Sequence, residues 1–410
     1  MTVDGRACRS CGFDELRRIL SLGSTPLANA LLTEQNPAQD EPQYPLELAF
    51  CPRCSLVQIA DIVPPERLFS DYAYFSSFSE TMLEHARALA RDVVKRQQLS
   101  GDSLVIEIAS NDGYFLRNLV EVGVPVLGVE PARNIAAVAE ERGVRTRCEF
   151  FSTQLAQQLL AEGMSADVIV ANNVMAHVPD INGVVSGIKT LLKTNGIFVM
   201  ETPYVVDMID GVEFDTIYHE HVFYYSLTAL ERLFRRHGLA ALDVQRISIH
   251  GGSLRVTAGH ATDVGPQEAV HSLLESEQAR GVTSLEYYAQ FADRVQRLRS
   301  ELHRVLEGLK ADHQRVAAYG ASAKGSTLLN HFGIGRDVLA YVVDRSTVKQ
   351  GRFTPGTHLE IFPVERLVQD RPDYVLLLTW NFADEILEQQ AAYRRLGGRF
   401  IIPLPQVQVV

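Results

Sequence analysis

The stretch SLVIEIASNDGYFLRNLVEVG, residues 103–123, decides the fold. An apolar strand over residues 104–108 runs into a small polar turn and then into a helix, the order in which α/β sheets build nucleotide sites. The next apolar run, VPVLGVEP, ends on Glu130, 23 residues after Glu107, where a carboxylate can accept hydrogen bonds from ribose hydroxyls. The pattern therefore predicts a ligand with adenosine-like hydroxyls.

Two more strands follow at the spacing of a doubly wound parallel sheet. They are predicted over residues 167–173 in ADVIVANN and over residues 197–201 in GIFVMETPY. The turn after the first strand reads ASNDG rather than G-x-G-x-x-G, so no glycine pair admits a pyrophosphate next to the backbone. This disfavours NAD and favours a smaller adenosyl ligand such as S-adenosylmethionine. A purely structural strand-turn-helix unit is the alternative.

Four of the five cysteines form two Cys-x-x-Cys pairs, Cys8 with Cys11 and Cys51 with Cys54. Two such turns supply four thiolates, a closed tetrahedral set that suits a structural zinc ion. Cys148 stands alone. Redox or disulfide chemistry is the alternative, but a redox motif is expected after a strand, whereas these pairs are duplicated and flanked by turn residues. An inserted loop is expected between the pairs, over residues 29–45.

Length and charge limit the classes of function. The chain has 410 residues and a mass of 45.6 kDa, which suggests two or three domains. Its 39 Lys and Arg against 50 Asp and Glu give a charge of -11, so nucleic acid is not expected as a partner. No apolar run is long enough for a bilayer. We expect a cytoplasmic monomer without membrane attachment, because each domain has its own apolar pattern.

The densest polar cluster is DTIYHEHVFYYS, with Tyr218, His219, Glu220 and His221 in succession. A histidine can remove a proton next to a carbonyl group, and a tyrosine or second histidine can donate hydrogen bonds to the enolate oxygen. His177, in NNVMAHVPD, is a candidate for that second donor. The segment could be extended or helical. A metal site made of His219, Glu220 and His221 is the alternative.

The C-terminal part repeats the strand-turn-helix outline in RVAAYGASAKGSTLLNHFG, residues 315–333, and predicts a second Rossmann-like domain. Lys324 in this turn and Lys349 in STVKQGRFTPG lie in glycine-rich loops that could hold an anion, with a plain surface turn as the alternative. The predicted α/β architecture has a small zinc-binding domain over residues 1–75, a central Rossmann-like domain for the adenosyl ligand over 76–258 and a second Rossmann-like domain over 259–410.

Eight motifs, in this order, resemble one family. They are CRSCG, CPRCS, EIASNDGYFL, NNVMAHVPD, METPY, YHEHVFYYS, HGGSLRV and YGASAKG. They are similar to the three-domain sugar C-methyltransferases of antibiotic deoxysugar pathways, and the resemblance covers nearly the whole chain. It implies S-adenosylmethionine as methyl donor, a structural zinc ion, and a dTDP-linked 4-keto-6-deoxysugar as methyl acceptor.

The resemblance also implies roles for individual residues. His221 matches the family's base, which removes the proton at the carbon beside the C-4 ketone, usually C-3. Tyr218, Glu220 and His177 match positions that orient or polarise the C-4 oxygen and the base. The matching cofactor positions are Glu107, Ala109, Asn111, Gly113, Glu130 and Asn172. The matching substrate positions are Tyr72, Ser76 and Lys349.

One departure and three alternatives remain. Ala109 stands where the family often has glycine, which slightly tightens the cofactor turn. Methylation at C-5 and a nucleotide-sugar protein that binds without methyl transfer are both left open. A methyltransferase acting on nitrogen or oxygen is disfavoured, because it needs no base for a carbon acid.

Overall fold

The computed structural model describes residues 6–33, 41–69, 77, 80–261 and 265–410, without the side chains of Phe69 and His250. Within these ranges the strands form three sheets, one for each part of the chain. No helix in these ranges combines the length and the apolar character needed to cross a bilayer. The domain boundaries given above stay a prediction.

The N-terminal part is a small antiparallel sheet beside the cysteine pairs. Its elements are β1 (Arg17–Thr25), β2 (Tyr44–Phe50), β3 (Val57–Ile59) and the helix α1 (Pro65–Phe69). Along β2, Leu46 and Leu48 are buried while Glu47 between them is half-buried, as expected when alternate side chains face opposite sides of a sheet.

The middle part is a doubly wound α/β unit. Its elements are α2 (Glu80–Gln97), β4 (Val105–Ile108), α3 (Arg117–Val120), β5 (Val126–Val129), α4 (Arg133–Glu141), β6 (Thr146–Arg147), α5 (Thr153–Ala161), β7 (Ala166–Asn172), α6 (Ile181–Leu191), β8 (Leu192–Pro203), α7 (Val205–Asp210), β9 (Phe223–Tyr224), α8 (Leu227–Arg236), β10 (Leu239–Ile247) and β11 (Ser253–His260).

The sheet of this part has the order β10-β11-β8-β7-β4-β5-β6. Strands β4 to β8 are parallel to one another, and β11 pairs antiparallel with β8 and with β10. The chain runs from β4 outward to β6 on one side and then crosses to β7 on the other. The carboxyl ends of β4 and β7 therefore flank the switch point, where sheets of this kind bind ligands.

The C-terminal part is a second α/β sheet. Its elements are α9 (Glu268–Ala279), α10 (Leu285–Tyr288), α11 (Phe291–Ala311), β12 (Val316–Tyr319), α12 (Ala323–Phe332), β13 (Leu339–Val343), β14 (Ile361–Phe362), α13 (Arg366–Asp370), β15 (Tyr374–Leu377), α14 (Ala383–Gln389), α15 (Ala391–Arg395), β16 (Arg399–Ile402) and β17 (Gln408–Val409). The strand order is β14-β13-β12-β15-β16-β17, with β17 antiparallel. This confirms the predicted second Rossmann-like sheet.

Serine residues begin several of the helices. The side chains of Ser152, Ser226 and Ser322 each accept a hydrogen bond from the backbone N–H three residues further on, at the starts of α5, α8 and α12. These bonds satisfy N–H groups that have no partner inside the helix. Gly333 ends α12 with a positive φ of 69°, a conformation that glycine adopts without steric cost.

The three parts meet on the segment that carries the histidine cluster. Strand β9 pairs with β3 and completes the N-terminal sheet, although it follows His221 directly in the chain. On the other side, the short 3-10 turn Phe214–Thr216 packs against α12, with the ring of Phe214 stacked 4.7 Å from that of Phe332. Both outer parts of the protein therefore contact this segment.

Candidate active site

The turn after β4 has an unusual backbone. Ala109, Asn111 and Gly113 all have positive φ, at 50°, 49° and 76°. A Cβ atom on Gly113 would lie 2.8 Å from Val144 Cγ2, so both the dihedral angle and the space require glycine here. The turn therefore forms a close cradle at the carboxyl end of β4.

Acidic side chains hold this turn in place. Glu130, at the end of β5, accepts hydrogen bonds from the backbone N–H groups of Asn111 at 3.0 Å and Ala132 at 2.8 Å. Asp112 is fully buried and pairs with Arg142 at 2.7 Å. The predicted acidic position at the end of β5 thus connects the two loops that a nucleoside would contact, and each carboxylate oxygen of Glu130 keeps a second lone pair.

Polar atoms without protein partners line the same edge of the sheet. Glu107 Oε2, Ser110 Oγ and Asn172 Oδ1 are buried and have no hydrogen-bond partner among the described residues. Desolvation, with the neighbouring charges of Glu130 and Asp112, raises the pKa of Glu107 well above its usual value. Buried polar atoms are normally satisfied, so this edge fits a polar ligand such as S-adenosylmethionine, whose hydroxyls and ammonium group can donate hydrogen bonds.

Ala109 allows a test of the strain in this turn. Because a non-glycine residue at positive φ costs roughly 1–2 kcal/mol, and glycine loses more backbone entropy on folding, Ala109→Gly is expected to raise the free energy of unfolding by about 0.5–1 kcal/mol. Urea unfolding measures this change. A lower free energy of unfolding in the variant would show that the methyl group contributes packing that outweighs the strain.

The histidine cluster is neither an extended strand nor a helical turn. Residues 218–221 form a tight turn, closed by a hydrogen bond from the His221 backbone N–H to the Tyr218 carbonyl at 2.9 Å. The turn brings the side chains of the first and fourth residues together, and their ring centroids lie 4.0 Å apart. Both side chains are half-buried, whereas His219 and Glu220 between them are buried.

The hydrogen bonds of His221 determine its tautomer. Nδ1 lies 2.9 Å from the Thr216 carbonyl oxygen, which can only accept, so Nδ1 carries the hydrogen in the neutral ring. Nε2 is then the acceptor, and it lies 2.6 Å from the Tyr218 hydroxyl. The arrangement gives His221 a basic lone pair on Nε2, with a tyrosine hydroxyl directly beside it.

His177 completes an aromatic group around this base. Its ring lies 4.8 Å from the ring of His221 in an edge-on arrangement. The Val222 N–H donates to the Ala176 carbonyl at 2.7 Å, which joins the loop after β7 to the segment after His221. Burial lowers the pKa of His177 to about 4, so the ring is neutral at pH 7.

The lowered pKa of His177 should make stability depend on pH. Its pKa falls from 6.5 unfolded to about 4 folded, so between these values the unfolded chain binds a proton that the folded chain does not. The free energy of unfolding should therefore fall by about 3 kcal/mol as pH drops through this window. Urea unfolding of wild type and His177→Gln checks this: the stability difference should shrink by about 2 kcal/mol between about pH 7.5 and about pH 5, and a constant difference would contradict it.

The two central residues of the cluster face the N-terminal part. Glu220 accepts a hydrogen bond from the Asn29 side chain at 2.7 Å, and His219 Nε2 donates to the Pro45 carbonyl at 3.2 Å. His219 and His221 therefore make their hydrogen bonds to different parts of the protein. Among the described residues, the cluster forms no group of metal ligands, in contrast to the metal site considered as an alternative.

Of the three predicted substrate residues, the structure describes Lys349. Tyr72 and Ser76 lie outside the described residues. Lys349 lies in the loop after β13, where its ammonium group donates to the Ala321 carbonyl at 2.8 Å and lies 3.7 Å from Asp344. This lysine therefore reaches the turn between β12 and α12, at the carboxyl edge of the C-terminal sheet.

The four paired cysteines form a compact cluster. The sulfur atoms of Cys8, Cys11, Cys51 and Cys54 all lie within 4.8 Å of one another, with 3.5 Å between Cys8 and Cys54 and 3.6 Å between Cys11 and Cys51. Disulfide bonds are much shorter, at about 2.05 Å, whereas a tetrahedral zinc–thiolate site places its sulfurs about 3.8 Å apart. The cluster therefore fits a structural zinc ion, while Cys148 is exposed.

The cysteine turns dock on helices of the middle part. Arg232, in α8, donates to the Ser55 hydroxyl at 2.7 Å. Asn182, in α6, donates to the Arg9 carbonyl at 2.7 Å. These bonds attach the cysteine turns to the middle part of the protein. The sheet beside the cysteine turns ends in β9, which follows the Tyr218–His221 turn in the chain.

Sequence reasoning missed two groups in this site. Thr216 acts through its backbone carbonyl, which no residue-type pattern can reveal. Asn29 lies at the start of the predicted inserted loop and reaches a residue 191 positions away in the chain. The same loop prediction is wrong at its far end, because β2 begins at Tyr44.

Three family models match the chain in succession. They describe a zinc binding domain over residues 8–69, a methyltransferase domain over residues 82–244 and a C-methyltransferase C-terminal domain over residues 248–405. Over 404 residues the chain is 38% identical to C-methyltransferase NovU of Streptomyces niveus. The match covers 98% of this chain and 96% of NovU.

Solved structures match a smaller part of the chain. An S-adenosylmethionine-dependent methyltransferase from Clostridium acetobutylicum ATCC 824 is 12% identical, covers 44% of this chain and 92% of its own, and has a TM-score of 0.36. Magnesium protoporphyrin IX methyltransferase from Synechocystis PCC 6803, with bound S-adenosylmethionine, is 13% identical, covers 47% and 88%, and has a TM-score of 0.33.

Proposed function

The chain belongs to the C-methyltransferase family that joins a zinc-binding, a methyltransferase and a C-terminal domain, and we propose that it methylates a dTDP-linked 4-keto-6-deoxysugar. The methylated carbon is C-3, next to the C-4 ketone. S-adenosylmethionine, bound at the carboxyl ends of β4 and β5, supplies an electrophilic methyl group on its sulfonium. The reaction then needs a carbon nucleophile, which the protein's own residues must generate.

The observation that carries the proposal is the lone pair on His221 Nε2. With Nδ1–H donating to the Thr216 carbonyl at 2.9 Å, Nε2 is the atom that can take a proton from C-3. A positioned general base typically contributes 10²–10⁴ in rate. Transfer to a nitrogen or oxygen acceptor needs no base for a carbon acid, so this fixed tautomer favours carbon as the methylated atom.

Loss of the C-3 proton leaves an enolate whose negative charge lies on the C-4 oxygen. The Tyr218 hydroxyl, 2.6 Å from Nε2, is a donor that can turn from the base to that oxygen. His177 is neutral because burial lowers its pKa to about 4, and its ring lies 4.8 Å from that of His221, where it is proposed to orient the base. Glu220, which accepts a hydrogen bond from Asn29, is proposed to orient Tyr218 and His177. Donors directed at a developing oxyanion are worth several kcal/mol each.

Three residues are proposed to bind the nucleotide part of the acceptor. They are Tyr72, Ser76 and Lys349. The Lys349 ammonium lies at the carboxyl edge of the C-terminal sheet, beside the N-terminus of α12, where backbone N–H groups and a positive charge together suit a phosphate. C-5 is the other carbon next to the C-4 ketone, and NMR of the product distinguishes the two positions.

Exchange of hydrogen with solvent tests the base apart from methyl transfer. The protein is incubated in D₂O with a dTDP-4-keto-6-deoxysugar and S-adenosylhomocysteine, and the sugar is followed by NMR. We expect deuterium at C-3, because a base that forms the enolate also returns a solvent-derived proton. An enzyme that methylates the sugar but exchanges no hydrogen at C-3 or C-5 would contradict the enolate mechanism.

A further inference from the structure

The orientation of the proposed base depends on one backbone carbonyl. The Thr216 oxygen accepts from His221 Nδ1 at 2.9 Å and from the Tyr224 hydroxyl at 3.4 Å. A shift of this carbonyl would change both the direction of the imidazole ring and the hydrogen bond that holds the hydrogen on Nδ1. What fixes the 3-10 turn Phe214–Thr216 therefore also fixes the base.

The C-terminal part fixes this turn through a buried polar contact. Asp215 is fully buried, and one of its carboxylate oxygens accepts a hydrogen bond from the Trp380 indole N–H at 2.7 Å. The Lys324 ammonium lies 4.8 Å from the centre of the Trp380 ring and 4.0 Å from Glu213 Oε2. Trp380 precedes α14 and Lys324 lies in the first turn of α12.

Burying a carboxylate between two surfaces costs desolvation free energy. Burial raises the pKa of Asp215 to about 6, against the opposing effects of Lys324 and Trp380, which reflects the cost of desolvating its charge. The stacked rings of Phe214 and Phe332 already supply apolar contact across the same boundary. Buried ionic groups often add little net stability. The contact between Asp215 and Trp380 is therefore better explained by the position that it gives the 3-10 turn than by stability.

We infer that Asp215 is a positioning residue for the reaction. Together with Trp380 and Lys324 it holds the turn whose Thr216 carbonyl orients His221, so the C-terminal domain sets the direction and tautomer of the base. This inference rests on the proposed function, because it assigns a consequence to His221 acting as the base. It gives the C-terminal domain a part in proton removal besides any contact with the nucleotide.

The test uses Asp215→Ala, Trp380→Phe and the double variant in the full-length protein. Each single change should lower the rates of C-3 hydrogen exchange and methyl transfer about 10- to 100-fold, the cost of a small misplacement of a reacting group. The affinity for S-adenosylmethionine should stay within about threefold. The double variant should be no slower than the slower single variant, because both changes break the same hydrogen bond.

A pH profile separates positioning from a general structural role. The Thr216 carbonyl stabilises the protonated ring through Nδ1–H, so misplacing it should move the acidic limb of the rate profile to lower pH. A merely structural defect would reduce the fraction of active enzyme without moving that limb. His358→Ala is the control, because His358 contacts Glu41 across the boundary of the C-terminal part at 3.1 Å without touching residues 213–221.

Two results would overturn the inference. One is a wild-type rate and pH profile in both single variants. The other is a loss that follows only the amount of folded protein, measured by binding of S-adenosylmethionine. The proposed function would fail differently, with full activity in a His221 variant, so the two failures can be told apart.

Discussion

Replacing His221 with asparagine is expected to lower the rate of methyl transfer about 1,000-fold. The asparagine amide can still donate to the Thr216 carbonyl, which accepts from Nδ1 at 2.9 Å in the wild type, but the variant has no atom in the place of Nε2. It therefore keeps the local hydrogen bond and loses the lone pair that is proposed to remove the proton. Because His221 does not contribute to the turn after β4, the affinity for S-adenosylmethionine should not change.

Stopped-time assays and calorimetry measure the two quantities separately. His271→Asn is the matched control, because His271 is exposed on α9 and the same chemical change there should leave the rate unaltered. Hydrogen exchange at C-3 should be lost together with methyl transfer in the His221 variant. Full methyl transfer by His221→Asn would show that another group is the base.

Replacing Cys51 with serine is expected to abolish zinc binding and to lower methyl transfer by about 100-fold or more. The serine removes one of four sulfurs that lie within 4.8 Å of one another. The sheet next to this cluster ends in β9, which pairs with β3 and follows His221 in the chain. A disordered zinc site should therefore release the turn that carries the base.

Zinc content and limited proteolysis give readouts that do not depend on activity. We expect about one zinc ion per chain in the wild type and none in Cys51→Ser, with faster cleavage of the N-terminal part. Cys148→Ser provides the control, since Cys148 is exposed and lies outside the cluster. Wild-type zinc content and activity in Cys51→Ser would contradict both the metal site and its coupling to the base.

The alternation of strand, turn and helix made the fold predictable. The strand expected over residues 104–108 is observed as β4 (Val105–Ile108), and Glu130 does follow β5. The Cys-x-x-Cys spacing also predicted the sulfur cluster, because two short turns suffice to aim four side chains at one point. Local patterns of this kind survive folding because burial and turn chemistry favour the same structure.

The geometry around His221 could not be predicted in the same way. Periodicity offered an extended strand or a helix, whereas a tight turn pairs Tyr218 with His221. Asn29 holds Glu220 in this turn, and Trp380 holds Asp215 in the 3-10 turn before it; both lie far away in the chain and on different domains. Such contacts depend on how the three parts of the chain pack together, and no local sequence signal specifies that packing.

Transfer of a labelled methyl group tests directly whether the protein methylates C-3 of the sugar. The purified protein is incubated with S-adenosylmethionine carrying a CD₃ group and a dTDP-4-keto-6-deoxysugar, and the sugar is analysed by mass spectrometry and NMR. The proposed function predicts a product with one CD₃ group on C-3 and none on oxygen or nitrogen. Binding of S-adenosylmethionine and the sugar nucleotide with no CD₃ on any carbon would contradict it.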